Sequence, residues 1–175
     1  MPGGVRGGVY LGFRADPLVG GRLKFKICDM SDADLDGVAV IEEASFPTPW
    51  SREMFSEDFR RPFSRSIVAK GLAGEILGYA VCWNIAGESH LLNIAVHSDF
   101  RGRGIGEALL MATIHQGRRA GSKQIYLEVR AANEQAQALY RKCGFVFAGI
   151  RKGYYTDTGE DALLFSREIR PTDAA

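Results

Sequence analysis

A glycine-rich turn sets the strongest constraint on how this chain can fold. Residues 101–106 read RGRGIG; they follow an apolar segment typical of a β-strand and precede apolar side chains that recur with the helical period. Such a turn leaves backbone N–H groups at the start of the helix without partners, and together with the helix dipole these groups form an anion site. The alternative is a glycine loop that only caps a helix.

Two nucleotide-binding motifs can be compared with this turn. A P-loop requires Gly-Lys followed by Ser or Thr, and this tripeptide does not occur here. A G-x-G-x-x-G fingerprint started at Gly102 meets Glu107 where glycine or alanine is required, and one started at Gly104 meets Leu109. Three strand-like segments also precede the turn, whereas a dinucleotide-binding fold opens with it. The dinucleotide interpretation is weakened but stays open, since Glu128 lies at a suitable distance for a ribose-binding acid.

The hydrophobic periodicity predicts one mixed α/β domain. We expect strands at 23–28, 66–70, 76–85, 90–97, 124–130, 145–150 and 162–169, and helices at about 31–44, from 51, at about 104–121 and at 133–142. The resulting order is β-α-α-β-β-β-α-β-α-β-β, with Ser31 and Ser51 as helix N-caps. The fold class is therefore α/β, with helices on the faces of one mixed sheet.

Composition sets the expected boundaries and excludes several classes of protein. Of the 175 residues, 46% are hydrophobic, which suits one domain, expected at 23–170. Residues 1–22 hold seven of the 21 glycines, so we expect a poorly ordered extension there and a short tail at 171–175. The extension is basic but has no serine, which makes a targeting peptide the weaker interpretation. The 22 basic and 21 acidic residues do not favour direct binding of nucleic acid.

Membrane, metal and disulfide chemistry are not indicated either. No segment reaches the roughly 18 uninterrupted apolar residues of a membrane span. The three cysteines and three histidines are scattered, without the paired spacings of a metal site. Widely spaced, reduced cysteines are typical of a cytoplasmic protein.

Five spaced motifs resemble the GNAT family of N-acetyltransferases. The RGRGIG turn after Ile94-Ala95-Val96 looks like the R-x-x-G-x-G acetyl-coenzyme A signature of that family, whose order of strands and helices is similar. The FPTPWS run at 46–51, LEVR at 127–130, R-x-x-Y-Y at 151–155 and EDA at 160–162 resemble the RimI-type ribosomal-protein-alanine N-acetyltransferases. The resemblance covers about residues 23–170. Thr48 is a departure, since it lengthens the family's F-P-W-S run at the implied peptide entrance.

The resemblance implies acetyl-coenzyme A (acetyl-CoA) as co-substrate, without a metal. The strand backbone at 94–96 would pair with the pantetheine arm, and the pyrophosphate would lie on the glycine-rich turn. Asn133 would contact the co-substrate, although it equally suits the N-cap of the helix that follows. The implied co-substrate residues are Ile94, Ala95, Val96, Arg101, Gly102, Arg103, Gly104, Ile105, Gly106, Glu107 and Asn133.

The resemblance also implies an acid-base pair. Glu128 matches the family's general base, and Tyr140 matches the general acid that protonates the leaving thiolate. Without the resemblance, Glu128 can be a carboxylate on an exposed strand face paired with a lysine. Tyr140 can be a core aromatic residue.

The implied substrate is the N-terminal alanine of protein eighteen of the small ribosomal subunit. A protein α-amine has a pKa of about 7.7–8 and a lysine about 10.4, so near neutral pH the α-amine is uncharged several hundred times more often. The residues expected to line a peptide groove are Trp50, Tyr154, Tyr155, Glu160 and Asp161. For the two tyrosines, packing at the sheet edge is the alternative.

Two other functions remain open at this point. The same co-substrate residues would serve an acetyltransferase that acts on a small amine or a lysine side chain. They would also serve a non-catalytic acetyl-CoA-binding module. The sequence leaves the oligomeric state undetermined.

Overall fold

The computed structural model describes residues 10–15 and 22–173, with side-chain surroundings for residues 24–173. The strands of the described residues are Tyr10–Ala15 (β1), Arg22–Asp29 (β2), Ser64–Gly71 (β3), Ile76–Ile85 (β4), Glu88–Val96 (β5), Gln124–Arg130 (β6), Val146–Tyr155 (β7) and Glu160–Glu168 (β8). The α-helices are Leu35–Ser45 (α1), Arg52–Phe59 (α2), Ile105–Arg119 (α3) and Glu134–Lys142 (α4). From β2 onward, this order confirms the predicted one.

The first strand is a feature that the sequence did not predict. Residues 10–15 belong to the segment expected to be poorly ordered, yet β1 pairs antiparallel with β2, with Tyr10 opposite Ile27. The open edge of β2 offers backbone partners to a neighbouring segment, and these can order it in spite of its glycine content. Residues 1–9, 16–21 and 174–175 lie outside the described residues. The boundaries of the domain at 23–170 stay a prediction.

One sheet carries the whole fold, in the strand order β1-β2-β3-β4-β5-β6-β8-β7. All neighbouring strands are antiparallel except β5 and β6, which run parallel. The β7 strand continues to Tyr155, beyond the predicted end at 150, because it passes through two irregularities in its pairing with β8. This extension places Tyr154 and Tyr155 at the end of a strand rather than in a loop.

Apolar side chains divide between the two faces of the sheet. Helices α3 and α4 cover one cluster, which includes Leu109, Leu127 and Val129. Helices α1 and α2 cover the other, which includes Ile41 and Ala95. Because successive side chains of a strand point to opposite faces, the β6 side chain between Leu127 and Val129 lies on the α1–α2 face. That side chain is Glu128.

Serine caps confirm the predicted starts of the first two helical segments. Ser31 precedes a short 3-10 turn at Asp32–Asp34, and its N–H donates to Asp34 Oδ2 at 2.9 Å. Ser51 Oγ accepts a hydrogen bond from the Met54 N–H at 3.3 Å, which caps α2. The Ser51 cap fixes the end of the chain segment that connects α1 and α2, residues 46–51, called the elbow below.

Candidate active site

The sheet splits open between its two parallel strands. Strands β5 and β6 pair only over four positions, from Glu88 opposite Gln124 to Leu91 opposite Leu127. Beyond this point the strands separate, and a cleft of about 920 Å³ lies between them. The β6-facing edge of β5 therefore offers unpaired backbone groups from Leu92 onward, and Ile94, Ala95 and Val96 all line the cleft.

The glycine-rich turn forms one end of the cleft. Gly102 and Gly104 have φ values of 75° and 84°, a left-handed conformation that favours glycine. Helix α3 begins directly afterwards at Ile105, so the N–H groups of its first turn have no acceptor within the helix. Residues of this turn and of the first helical turn that line the cleft are Gly102, Gly104, Ile105, Gly106 and Glu107. The turn thus has the backbone geometry that the predicted anion site requires.

The two arginines of the turn lie in different places. Arg101 lines the cleft, where its Nε donates to the Val96 carbonyl at 3.0 Å and its Nη2 to Ser45 Oγ at 3.2 Å. These bonds connect the turn to the end of β5 and to α1. Arg103 was expected at the mouth of the cleft but does not line it; its guanidinium lies 5.5 Å from the centre of the Phe100 ring. Attraction to the aromatic face accounts for that position.

Helix α4 supplies the opposite wall. Asn133 lines the cleft and also caps α4, since its Oδ1 accepts from the Ala136 N–H at 3.0 Å. At the other end of the helix, Lys142 Nζ lies 2.7 Å from Glu107 Oε2 and joins α4 to α3. The cap that the sequence offered as an alternative for Asn133 is therefore compatible with a position in the cleft.

Glu128 lies one residue beyond the last position at which β6 pairs with β5, and its side chain is 28% exposed on the cleft wall. Its Oε1 is 2.8 Å from Arg151 Nη1. Hydrogen bonding to Glu128, followed by burial, raises the pKa of Tyr154. A carboxylate paired with a cation was the alternative interpretation of this residue; the cation is an arginine, and of the pair Glu128 lines the cleft.

Tyr140 is a core residue that also reaches the cleft. Its ring lies 5.9 Å from that of Phe145 and 6.3 Å from that of Phe165, and 5% of the residue is exposed. Burial, with a smaller effect from Tyr155, raises the pKa of Tyr140, so its hydroxyl keeps its proton across the neutral range. Its position in the core confirms the interpretation as a core aromatic residue, and the role of general acid stays a prediction.

The predicted groove residues separate into two groups. Trp50, Tyr154 and Tyr155 line the cleft. Glu160 and Asp161 do not line it, and the role of all five residues in binding a peptide stays a prediction. Glu160 Oε1 accepts from the Ala132 N–H at 2.6 Å, and Asp161 Oδ2 lies 2.9 Å from Lys152 Nζ. Glu160 Oε2 also lies 3.6 Å from Nη1 of Arg130, which lines the cleft, and the Gly153 N–H donates to Asp161 Oδ1 at 2.8 Å.

A hydrogen bond connects the elbow to the β7–β8 turn beside the cleft. Thr48 Oγ1 in the elbow donates to Asp157 Oδ2 at 2.8 Å, in the turn between β7 and β8. Arg130 Nη2 lies 2.7 Å from the same carboxylate oxygen, and its guanidinium is 3.9 Å from the centre of the Tyr155 ring. The additional residue of the elbow thus joins two walls of the cleft, since Thr48 and Asp157 both line it.

Sequence reasoning missed two cleft residues, Glu42 and Asn93. Glu42 is 1% exposed, and its carboxylate accepts from the Trp50 N–H at 2.9 Å and from Asn93 Nδ2 at 3.0 Å. The signal was available: Glu42 lies seven residues after Leu35 and so falls on the apolar face of α1. An acid on a buried helix face requires hydrogen-bond partners.

The described residues also bear on membrane insertion and on metal binding. None of their helices has the length and apolar character needed to span a bilayer. Within residues 10–15 and 22–173, no three His, Cys, Asp or Glu side chains cluster in a way that could hold a metal ion.

Comparison with known proteins identifies the family. The model of the acetyltransferase (GNAT) family matches residues 35–145. The chain belongs to this family. A GNAT relative from Bacillus subtilis, a putative [ribosomal protein bS18]-alanine N-acetyltransferase, is 35% identical over 82% of this chain and 95% of its own length. The corresponding enzyme of Escherichia coli strain K12 is 33% identical over 82% of this chain and 97% of its length.

Solved structures agree with the family assignment. The ribosomal-protein-S18-alanine N-acetyltransferase from Escherichia coli superposes with a TM-score of 0.76 at 33% identity and covers 83% of this chain and 94% of its own. Ard1 from Thermoplasma volcanium gives a TM-score of 0.77 at 27% identity, covering 83% and 98%. The protein is therefore an acyltransferase with the GNAT fold.

Proposed function

We propose that this GNAT enzyme transfers the acetyl group of acetyl-CoA to a protein N-terminal α-amine, namely the N-terminal alanine of a small-subunit ribosomal protein. The observation that carries the proposal is the cleft at the β5–β6 split, which brings the glycine-rich turn, Glu128 and Tyr140 to one cavity. The relatives named as alanine N-acetyltransferases, which match over more than four-fifths of the chain, support the choice of substrate.

The cleft fits acetyl-CoA in two respects. The free N–H groups at the start of α3 suit a pyrophosphate, and the unpaired edge of β5 at 94–96 suits a peptide-like pantetheine arm. Arg101 already donates to the Val96 carbonyl, so we assign it to shaping the strand end as well as to adding positive charge. Asn133 lies on the wall formed by α4 and completes the proposed set.

The reaction requires one proton acceptor and one proton donor. The α-ammonium first gives a proton to Glu128; the free amine then forms the new C–N bond with the acetyl carbon as the C–S bond breaks. Tyr140, which stays protonated at neutral pH, supplies a proton to the leaving sulfur and regains one from the nitrogen of the new C–N bond, so that a neutral amide and free coenzyme A thiol result while Glu128 later releases its proton to water. Glu128 must part from Arg151 to accept its proton, and a partly exposed ion pair of this kind costs only about 1 kcal/mol or less to open.

The peptide side of the cleft suits a chain end better than a long side chain presented from a folded surface. Trp50, Tyr154 and Tyr155 provide aromatic walls, and the hydrogen bond from Thr48 to Asp157 joins two walls of the cleft. An α-amine near pH 7 also loses its proton far more readily than a lysine. Both features favour the α-amine as acceptor.

A pair of peptides tests the function. Each begins with alanine, follows a basic ribosomal-protein-like sequence and carries one internal lysine; one has a free N-terminus and the other a blocked one. Mass spectrometry after incubation with acetyl-CoA should show acetylation of the free peptide only. Equal acetylation of both would place the reaction on lysine and refute the proposal. Acetyl-CoA binding without acetylation of either peptide would refute it in favour of a small amine or a binding module.

A further inference from the structure

A buried carboxylate lies behind the cleft wall on the same face of the sheet as Glu128. Glu42 of α1 accepts from the Trp50 N–H at 2.9 Å, from the Tyr79 hydroxyl, and from Asn93 Nδ2, which lies 3.0 Å from each of its two oxygens. Burial and the charge of Glu42 raise the pKa of Tyr79, so the phenol stays a donor. With donors on both oxygens, Glu42 serves as a hydrogen-bond acceptor.

The negative charge of Glu42 has no cationic partner nearby. Across the part of the chain whose side chains are described, no Lys, Arg or His nitrogen lies within 4.0 Å of its carboxylate, and its partners are all neutral. Glu128, in contrast, pairs with Arg151. A buried charge without a counter-ion is costly unless something that enters the site balances it.

Asn93 connects this charge to the cleft. It follows Leu92, the extra residue where the β4–β5 pairing shifts register, and so lies where β5 leaves β6. Because Glu42 can only accept, the Nδ2 of Asn93 must face it, which directs the Oδ1 away from Glu42. No donor from the described residues reaches that Oδ1, and Asn93 lines the cleft.

We propose that Asn93 Oδ1 accepts a hydrogen bond from the α-ammonium of the substrate, and that Glu42 is a positioning residue that fixes this amide and supplies the balancing negative charge. The inference rests on the proposed function and adds a means of selecting a cationic amine. Glu128 is already engaged with Arg151 when the substrate arrives, so a second acceptor is needed to hold the ammonium until its proton is transferred. An ammonium carries three N–H donors and can bind both groups.

The test uses two variants. Glu42→Gln replaces the carboxylate by an amide of the same shape, and a double variant exchanges the carboxylate and the amide between positions 42 and 93. In Glu42→Gln we expect the KM for the alanine peptide to rise roughly 10- to 100-fold, as for a lost hydrogen bond to a charged group. The Kd for acetyl-CoA should stay within about twofold, and kcat should change less than KM. In the double variant Glu42→Gln/Asn93→Asp, the amide introduced at 42 can donate to the carboxylate introduced at 93. We therefore expect the double variant to reverse most of the rise in KM.

Controls separate this role from a structural one. Glu43→Gln makes the same charge change one residue further along α1, on an exposed side chain, and should leave KM unchanged. If Glu42→Gln fails to fold, Asn93→Ala carries the test and should raise KM without loss of charge. Wild-type KM in a folded single variant, or a double variant that recovers nothing, overturns the inference. A wild-type enzyme that acetylates no alanine peptide overturns the proposed function instead, together with what rests on it.

Discussion

Gly78 provides a way to perturb β5 from its neighbouring strand, β4. It lies in β4 opposite Val96 of β5. A Cβ atom added there would lie 2.8 Å from the Ala95 carbonyl oxygen, 3.1 Å from Leu109 Cδ1 and 3.4 Å from Ile105 Cγ2. The first contact is with backbone, so Gly78→Ala must displace β5 within the three residues proposed to bind the pantetheine arm.

The expected loss of stability follows from these contacts. Overpacking of this kind costs about 1–3 kcal/mol, and the lower entropy of the unfolded alanine chain offsets about 0.4–1 kcal/mol of it. We therefore expect Gly78→Ala to lower the free energy of unfolding by about 1–2 kcal/mol in urea titrations. If moving β5 relieves about 1 kcal/mol of this strain in the free protein, acetyl-CoA binding must restore it. The Kd for acetyl-CoA measured by calorimetry then rises about fivefold.

A second glycine in the β4–β5 turn provides the matched control. Gly87 has a φ of 83° and no atom within 4 Å of an added Cβ. Gly87→Ala should cost a similar 1–2 kcal/mol through backbone strain alone, and leave the Kd for acetyl-CoA unchanged. The reasoning is refuted if Gly78→Ala keeps the wild-type stability and Kd, or if both variants weaken acetyl-CoA binding equally.

Three further changes have defined expectations. Burial alone would raise the pKa of Asp34, but hydrogen bonds from Lys70 and Ser31 outweigh it and lower that pKa. The stability from this pair is therefore present above pH 4 and lost as the pH falls through the lowered value, so Lys70→Met should cost roughly 1–3 kcal/mol at pH 7 and progressively less in acid unfolding titrations. Thr48→Val removes the hydrogen bond to Asp157 and should reduce the preference for alanine over larger N-terminal residues about two- to tenfold in competition assays, with little change in stability. Lys142→Ala removes the positive charge 2.7 Å from Glu107 Oε2 and makes the surroundings of the glycine-rich turn more negative, so calorimetry should show acetyl-CoA binding weakened a few-fold, more at low salt than at high salt. An unchanged profile in any of these measurements would contradict the contact on which it depends.

Periodic patterns of apolar residues predicted most of the fold, because the period of a strand or helix depends only on its own backbone geometry. The change from strand to helix period around the glycine-rich turn predicted the α3 start at Ile105, and the alternation of apolar residues predicted β6. The length of β7 could not be predicted, since its continuation to Tyr155 depends on irregular pairing with β8. The β1 strand depends in the same way on a partner edge supplied by β2.

The site was predictable where a residue's role depends on its own strand or helix. Glu128 lies in the cleft because it follows the last position at which β6 pairs with β5, and Tyr140 because it lies on the inner face of α4. Prediction failed where a distant partner decides the position of a charge. Asp161 is held by Lys152, and the Thr48 contact depends on Asp157, 109 residues later in the sequence.

Single-turnover acetyl transfer by Glu128→Gln and Tyr140→Phe tests the central claim most directly, with the Kd for acetyl-CoA measured on the same preparations. If the cleft carries acid-base catalysis at these two residues, both variants bind acetyl-CoA within about twofold of wild type and transfer acetyl to the alanine peptide about 10²–10⁴ times more slowly. Transfer at the wild-type rate by either folded variant would show that its side chain moves no proton in the reaction, and would contradict the account.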